Sequence, residues 1–365
     1  MSDLTPRAVA WAETMSGHAA AGAVHAHAEP TARIAVAAPV GRIAREEAEA
    51  VRLRPGASLA RGAGDRALPE QPDAERTCFE RDRDRIVHST AFRRLAGKTQ
   101  VVVFPTDHQR TRLTHALEVA QVATSIARGV GANATLAEAI ALGHDCGHGP
   151  GGHASEDAFD PFIPGGYEHG PWGADVVLAP LNLCAETLDG IRNHSWSRPA
   201  PATIEGEIVS WADRIAYCAH DLEDAVSAGI LTLDDLPAEV AEVAGRTRRE
   251  QLSTFVRAAV SATCATGQVS MAPEPAAALA ALRSFNYERI YTREESVAQS
   301  QAVIAVLTAL VEYYAEHPEW LPADLDWADP VRAAVAYVGG MTDRFAFDVA
   351  LTRLGWDPAR LPKGQ

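Results

Sequence analysis

Apolar residues spaced at threes and fours limit the fold of this chain more than any other feature. In "RLTHALEVAQVATSIARGVG" the residues Leu113, Leu117, Ala120, Ala123, Ile126 and Ala127 recur at that interval and glycines close the segment. Such spacing gathers side chains along one side of a helix of 3.6 residues per turn. The next segment, "NATLAEAIALGHDCGHG", offers Asn133 as an N-cap and is predicted to run helical as far as the glycines after His148. In "TIEGEIVSWADRIAYCAHDLEDAVSAG" Ile208, Ala212, Ile215, Ala219 and Leu222 form one stripe, and Val297, Ile304, Leu307, Leu310 and Val311 continue the pattern. Strand signals are confined to short pieces such as "TQVVVF" at 99–104, a candidate hairpin. The expected fold is all-α, a helical bundle with additional helices and at most a small β-hairpin.

Residues 1–75 are rich in Ala, Gly, Pro and Arg with few large apolar side chains, and are expected to be a peripheral or partly disordered extension. The catalytic domain is expected over 76–355, with its core at about 110–230 and a further helical part at about 250–355. No run of eighteen apolar residues occurs and "MSDLTPR" has no basic, apolar leader, so a cytoplasmic protein with no membrane partner is expected. Five cysteines without a CxxC pair indicate neither a disulfide framework nor a thiolate zinc site. The net charge of -15 argues against bulk attraction to nucleic acid. Residues 81–112 run the other way, with eight Lys or Arg against three Asp. That segment is read either as a solvated face laced with ion pairs or as a site for a phosphate-rich ligand.

Eight of the thirteen histidines lie between 108 and 220. A lone buried histidine is more often a structural residue than a ligand, so spacing has to decide. His144 and Asp145 are adjacent, and His148 lies one turn beyond His144. A third donor must come from a neighbouring helix, and His115 sits in one joined to the His144 helix by a short loop, so the two should pack antiparallel. Imidazoles mixed with carboxylates suit a divalent Mn, Mg, Fe, Ni or Zn ion without choosing among them. For a fourth ligand, periodicity offers Asp213, Asp221 and Asp224. "GPGGHASE" lacks the GK[ST] ending of a P-loop and does not follow a strand.

With His115, His144 and Asp145 in the order H...HD, the chain resembles the HD-domain phosphohydrolases. "RDRDRIVHSTAFRRLAGKTQV", "RTRLTHALEVAQVA", "ALGHDCGHGPGGHASE", "GYEHG", "LNLCAETLDGI", "WADRIAYCAHDLEDAV" and "GGMTDRFA" are similar, in order, to segments of the deoxyguanosinetriphosphate triphosphohydrolase (dNTPase) family. The resemblance covers roughly residues 78–350. It implies an HD-domain helical bundle and hydrolysis of a deoxynucleoside triphosphate (dNTP) to deoxynucleoside and inorganic triphosphate. It makes Asp213 the fourth metal ligand beside His115, His144 and Asp145. It implies catalytic positions at His153, Glu156 and His148, with His153 near the α-phosphorus, Glu156 orienting it, and His148 and His169 contacting phosphate. Arg112 matches a triphosphate-binding arginine, which favours the anion-site reading of 81–112. Tyr217 and Asp221 match deoxyribose contacts on the helical face of Asp213, and Gln100 and Tyr291 match base or substrate contacts. A dNTP substrate, an allosteric nucleotide and a homo-oligomer, hexamer or tetramer, are implied as partners.

Two departures stand out. Where the family has "HPPFGH" this chain has "HGPGGH", so Gly151 replaces a phenylalanine and is expected to loosen the loop that aims His153. The first 75 residues match no segment of the family. Rival readings are an HD monophosphatase or alarmone hydrolase, a dNTP-binding sensor with weak turnover, and single-stranded nucleic-acid binding through the arginines of 81–112, which the overall charge disfavours.

Overall fold

The computed structural model describes residues 5–101, 109–323, 325 and 328–362. It contains two compact units, Met1–Val40 and Gly41–Gln365. In the first, α1 (Pro6–Thr14) precedes an antiparallel pair, β1 (His18–Ala20) and β2 (Ala23–His25), with His18 opposite His25. Ala21 (φ 50°) and Gly22 (φ 82°) make the turn, both left-handed, the geometry that matches the twist of a two-residue hairpin. The hairpin therefore forms at 18–25. Of the segment expected to form one at 99–104, residues 102–104 lie outside the described residues, and Thr99 makes a single antiparallel bridge with Thr111.

Among the described residues the regular elements of the second unit are helices, joined by turns and loops, and these helices follow local signals. After α2 (Arg42–Arg52), α3 (Cys78–His88) opens on a capping box in which Thr77 and Glu80 satisfy each other's backbone N–H groups, and α4 (Thr90–Arg94) follows at once. Helix α5 (Arg112–Val130) ends on left-handed Gly131 (φ 78°), and α6 (Ala134–Gly143) starts where Asn133 Oδ1 accepts from the amides of Thr135 at 3.1 Å and Leu136 at 3.3 Å. Ten residues are too few for a helix to stand alone in water. Packing decides the matter, with Leu136, Ile140 and Leu142 of α6 and Ala116, Val119, Ala123 and Ile126 of α5 all buried. Such burial contributes about 1.5–3 kcal/mol for each large side chain. The Leu113–Ala127 stripe is only partly the buried one. Leu117 is half-exposed, because the alanines of α5 allow close approach to its neighbours and rotate Leu117 outward.

Short helices α7 (Ala154–Phe159), α8 (His169–Trp172) and α9 (Ala185–Asn193) lead to α10 (Ile204–Ser227), which packs on α5 and α6. Helices α11 (Ala238–Ala244), α12 (Arg248–Thr266) and α13 (Pro273–Asn286) complete one core. A second core joins α7 to α14 (Glu294–Glu316), α15 (Pro330–Gly339) and α16 (Asp343–Thr352). By length and composition α14 is apolar enough to cross a membrane, yet its Val303, Val306, Leu307, Leu310 and Val311 are buried against that second core. The glycine segment 149–152 runs from the first core to the second.

Residues 41–75 belong to this larger unit, so the extension expected over 1–75 divides at Val40. Buried Glu49 accepts from Ala60 N at 3.0 Å and Asn133 Nδ2 at 3.2 Å. Ser58 donates from Oγ to Glu205 at 2.8 Å, and Arg66 pairs with Asp82 at 2.6 Å with both side chains buried. A buried charge requires a partner, and each of these has one in the helical body.

Candidate active site

Three helices deliver the donors expected around a cation. His115 stands in the first turn of α5, His144 is the residue that closes α6, Asp145 follows it, and Asp213 lies in α10. Helix α6 ends at Gly143, earlier than the sequence predicts, and 144–148 form turns in which His148 N donates to Asp145 O at 3.1 Å. The early ending matters because it lets His144, Asp145 and His148 converge instead of fanning around a helix. His115 Nε2 is 3.1 Å from Asp213 Oδ1, and His144 Nε2 lies 3.4 Å from Asp145 Oδ1 and 3.7 Å from Asp213 Oδ1.

Hydrogen bonds and neighbouring charges set the tautomer of His144 and keep both carboxylates ionised. His144 Nδ1 donates to Ala141 O at 2.6 Å, which fixes the tautomer and leaves the Nε2 lone pair facing the carboxylates. That Nε2 is buried and has no hydrogen-bond partner. Burial would raise Asp145, but Arg112, His144 and His148 hold its carboxyl well below the usual range. Burial likewise opposes charge on Asp213, and the hydrogen bond from His115 overrides it. One ligand atom each from His115, His144 and Asp145 falls within 4.8 Å of the others, and the same holds for His144, His194 and Asp213. Two imidazoles and two ionised carboxylates fit a divalent ion of the Mn, Fe, Ni, Mg or Zn kind.

Beside this cluster lies a second, built from His148, His153, Glu156 and His169. Glu156 Oε1 accepts from His153 Nδ1 at 2.7 Å and from His169 Nδ1 at 3.1 Å. Despite burial, those two hydrogen bonds keep Glu156 far below the usual carboxylate range. His148 and His169 stack with ring centroids 3.8 Å apart. Burial, with Arg112 and His169 nearby, pushes the His148 imidazole well down, so the stack holds one neutral ring. Burial also opposes charge on His169, but Glu156 outweighs it and holds that ring above its usual range. His153 differs from the rest in being largely exposed, its ring opening into the cavity.

Sequence reasoning gave no role to His194, which completes this second cluster. His194 Nε2 is 3.0 Å from His169 Nε2, and its Nδ1 donates to Ile191 O at 2.8 Å. Since Nδ1 carries the proton, Nε2 accepts, and His169 donates at both ends. Burial, with His169 and His144 beside it, pushes His194 down to about 3, which keeps it an acceptor. His144 and His194 are built alike. Each closes its helix, and each gives its Nδ1 proton to the carbonyl three residues earlier. A histidine immediately after a helix was the available signal for both.

The loop between the clusters is tied down. Gly151 and Gly152 are left-handed, with φ of 72° and 65°, and Gly151 N donates to Asp343 Oδ1 at 2.8 Å. The loosening expected of Gly151 is therefore opposed by an anchor on its own backbone.

A cavity of about 920 Å³ is lined by His115, Asp145 and Asp213 of the first cluster, by His153 and His169 of the second, and by Tyr217, Asp221, Gln100 and Tyr291. Tyr291 donates to Asp221 Oδ2, while Asp221 Oδ1 and Gln100 Oε1 are buried without partners among the described residues. Burial raises Asp221 to about 7. Arg283 Nε donates to the Tyr217 hydroxyl oxygen at 3.0 Å, which leaves the phenol proton free for another acceptor.

The basic segment divides. Arg81 and Arg85 pair with Glu70, Arg83 with Asp84, and Arg110 with Glu118, Glu223 and Asp224. These arginines match the ion-pair reading. Arg112 alone among them is turned to the site, donating from Nη1 to Asp145 at 2.8 Å while its Nε and Nη2 have no partner among the described residues.

Residues 112–218 match the HD domain family, and 269–351 match the phosphohydrolase-associated domain. A deoxyguanosinetriphosphate triphosphohydrolase-like protein of Caldanaerobacter subterraneus is 39% identical, the match covering 82% of this chain and 92% of that one. A protein of the same description from Clostridium perfringens is 40% identical over 82% of this chain and 93% of its own. The chain belongs to the deoxyguanosinetriphosphate triphosphohydrolase-like family. A phosphohydrolase from Bacteroides thetaiotaomicron, of known structure, is 17% identical with a TM-score of 0.48, covering 73% of this chain and 68% of that one. Of the H...HD donors and Asp213, the cavity is lined by His115, Asp145 and Asp213, together with His153. Two further residues, Lys98 and Asp343, act on the backbone of the same loop and escaped sequence reasoning because backbone contacts leave no spacing pattern.

Proposed function

We propose that the chain is a metal-dependent dNTP triphosphohydrolase that cleaves between the 5'-oxygen and the α-phosphorus, releasing deoxynucleoside and inorganic triphosphate. The observation that carries this reading is one cavity lined both by His115, Asp145 and Asp213 of the cation-type cluster and, further along α10, by Tyr217 and Asp221. The descriptions of its relatives support the same reading.

His115, His144, Asp145 and Asp213 would hold the ion, which supplies Lewis-acid polarisation of a phosphoryl oxygen. Arg112 keeps Asp145 ionised with one nitrogen and offers Nε and Nη2 to the triphosphate. His169, charged and held between Glu156 and His194, presents a fixed positive edge to phosphate, and His148 lies under it. His153 gives its Nδ1 proton to Glu156 and therefore presents Nε2 to the cavity as the site of proton transfer. Such transfer contributes typically ~10²- to 10⁴-fold in rate. At the far end, Asp221 Oδ1 accepts from the 3'-hydroxyl and Tyr217 packs where a 2'-hydroxyl would stand. Gln100 and Tyr291 line the remainder of the substrate cavity.

The test is incubation of the purified protein with each dNTP and Mn or Mg, with chromatographic identification of products. Deoxynucleoside and triphosphate are expected. Monophosphate with pyrophosphate, or no turnover of any dNTP, would refute the reading.

A further inference from the structure

The glycine loop that precedes His153 is held by side chains from both ends of the helical unit. Asp343, the first residue of α16, lies 192 residues from Gly151 yet accepts its N–H at 2.8 Å through Oδ1. The other oxygen, Oδ2, accepts from Thr99 N at 2.9 Å and from Thr99 Oγ1 at 2.5 Å. Asp343 is buried, and the three donors fill both oxygens in opposite directions. One residue before Thr99, the buried Lys98 ammonium donates to His148 O and, at 2.9 Å, to Gly339 O at the end of α15. Both ends of the loop 148–151 are thus fastened to the α15–α16 junction, inside the region that matches the phosphohydrolase-associated domain.

The two consecutive left-handed glycines, 151 and 152, have wide backbone freedom, and of the four residues 149–152 only Pro150 carries a side chain to restrain the loop. His153 follows directly, is largely exposed, and has Glu156 as its hydrogen-bond partner. That bond fixes how the ring turns but not where its backbone sits. The backbone is tied locally by Ser155, whose Oγ accepts from Gly149 N at 2.9 Å and donates to Gly152 O at 2.6 Å, and from outside the loop by Asp343 at the Gly151 N–H.

We infer that Asp343 is a positioning residue for the reaction, acting through Gly151 and Thr99 to place the backbone from which His153 enters the cavity. The inference rests on the proposed role of His153. It also assigns the α15–α16 region a share in the chemistry, although among the described residues none of its side chains lines the cavity.

Asp343→Asn keeps the shape but sets an amide N–H against one of the backbone donors. It is expected to lower kcat for the dNTP substrate 10- to 100-fold, to leave KM and bound-metal content within about twofold, and to speed amide exchange in the 149–153 peptide at least tenfold. Thr99→Val, which removes one donor and nothing else from the network, is expected to show a smaller change of the same kind. His153→Ala supplies the deciding background. A residue that acts through His153 loses its effect on kcat once His153 is gone, whereas a purely structural loss multiplies through. The inference is overturned if Asp343→Asn keeps wild-type kcat, if its loss multiplies in the His153→Ala background, or if Thr99→Val is silent while Asp343→Asn fails to fold. Full turnover by His153→Ala alone would instead remove the proposed role of His153 and, with it, this one.

Discussion

Arg112 Nη1 donates to Asp145 Oδ2 at 2.8 Å, and both side chains are almost wholly buried, at 2% and 4% exposure. The pair joins the start of α5 to the residue just past the end of α6, and it ionises a carboxylate that the cation cluster needs. Breaking one partner of a buried ion pair costs about 3–5 kcal/mol, because the other charge is left stranded. Arg112→Ala should therefore lower stability by about that amount and deplete bound metal, read by denaturant unfolding and by elemental analysis. Arg112→Lys should not restore either, since an ammonium cannot serve Asp145 and the cavity with separate nitrogens.

His194 should prove functional although it was not expected from the sequence. His194→Ala removes the acceptor that orients the Nε2 proton of His169. A fall of about tenfold to a hundredfold in kcat/KM is expected, in line with loss of a group that orients an acid or ligand. His169→Ala should be as damaging, and the double variant no worse than His169→Ala alone. Additive losses in steady-state kinetics would contradict the arrangement.

Two left-handed glycines separate strain from crowding. At Gly152 an added Cβ would lie 2.5 Å from Arg112 Nη2 and 2.9 Å from Thr99 O, while at Gly165 (φ 90°) it would meet nothing within 4 Å. Gly165→Ala should cost only the backbone term of about 1–3 kcal/mol. Gly152→Ala should cost about 1–3 kcal/mol more from overpacking and should abolish turnover by displacing Arg112. Thermal unfolding and activity of the two variants side by side check this.

Asp221 makes stability depend on pH in a definite direction. Its folded carboxyl ionises at about 7, chiefly because it is buried, against an ordinary value of 3.8. The folded state therefore binds the proton more tightly, and the stability this confers is full below pH 4 and is lost as pH rises through 7. The whole effect is on the order of a few kcal/mol. Asp221→Asn should flatten the Tm profile between pH 4 and 8 relative to the wild type. A wild-type Tm that rises across that interval at the same rate as the variant's would show that Asp221 does not titrate there.

What the sequence reveals is what repeats or lies close together. The helices α5, α6 and α10 follow from periodicity, and the start of α6 from Asn133 as its cap, while the end of α6 at Gly143 does not. The donors of 144–156 are legible because thirteen residues cannot separate far. The buried face of α5 was harder to read, because alanines set its closeness to α6 and the larger Leu117 faces out. The hairpin at 18–25 is half alanine and has one β-branched residue, Val24, so no β-branched alternation announces it. Asp343 and Lys98 were hidden for another reason. Their partners are backbone N–H and C=O groups, which every residue possesses, so no residue pattern marks them.

Helix α10 carries Asp213, Tyr217 and Asp221 at intervals of four. Because backbone hydrogen bonds fix the rise at about 1.5 Å per residue, the first and last stand about 12 Å apart along the axis. The helix is thus a graduated rule laid beside the cavity, with the proposed cation ligand at its zero mark and a buried carboxyl at its second graduation. Side-chain substitutions can change what is read at each mark but not the distance between marks. Inserting or deleting a single residue in 214–220 would swing one mark about 100° away from the other.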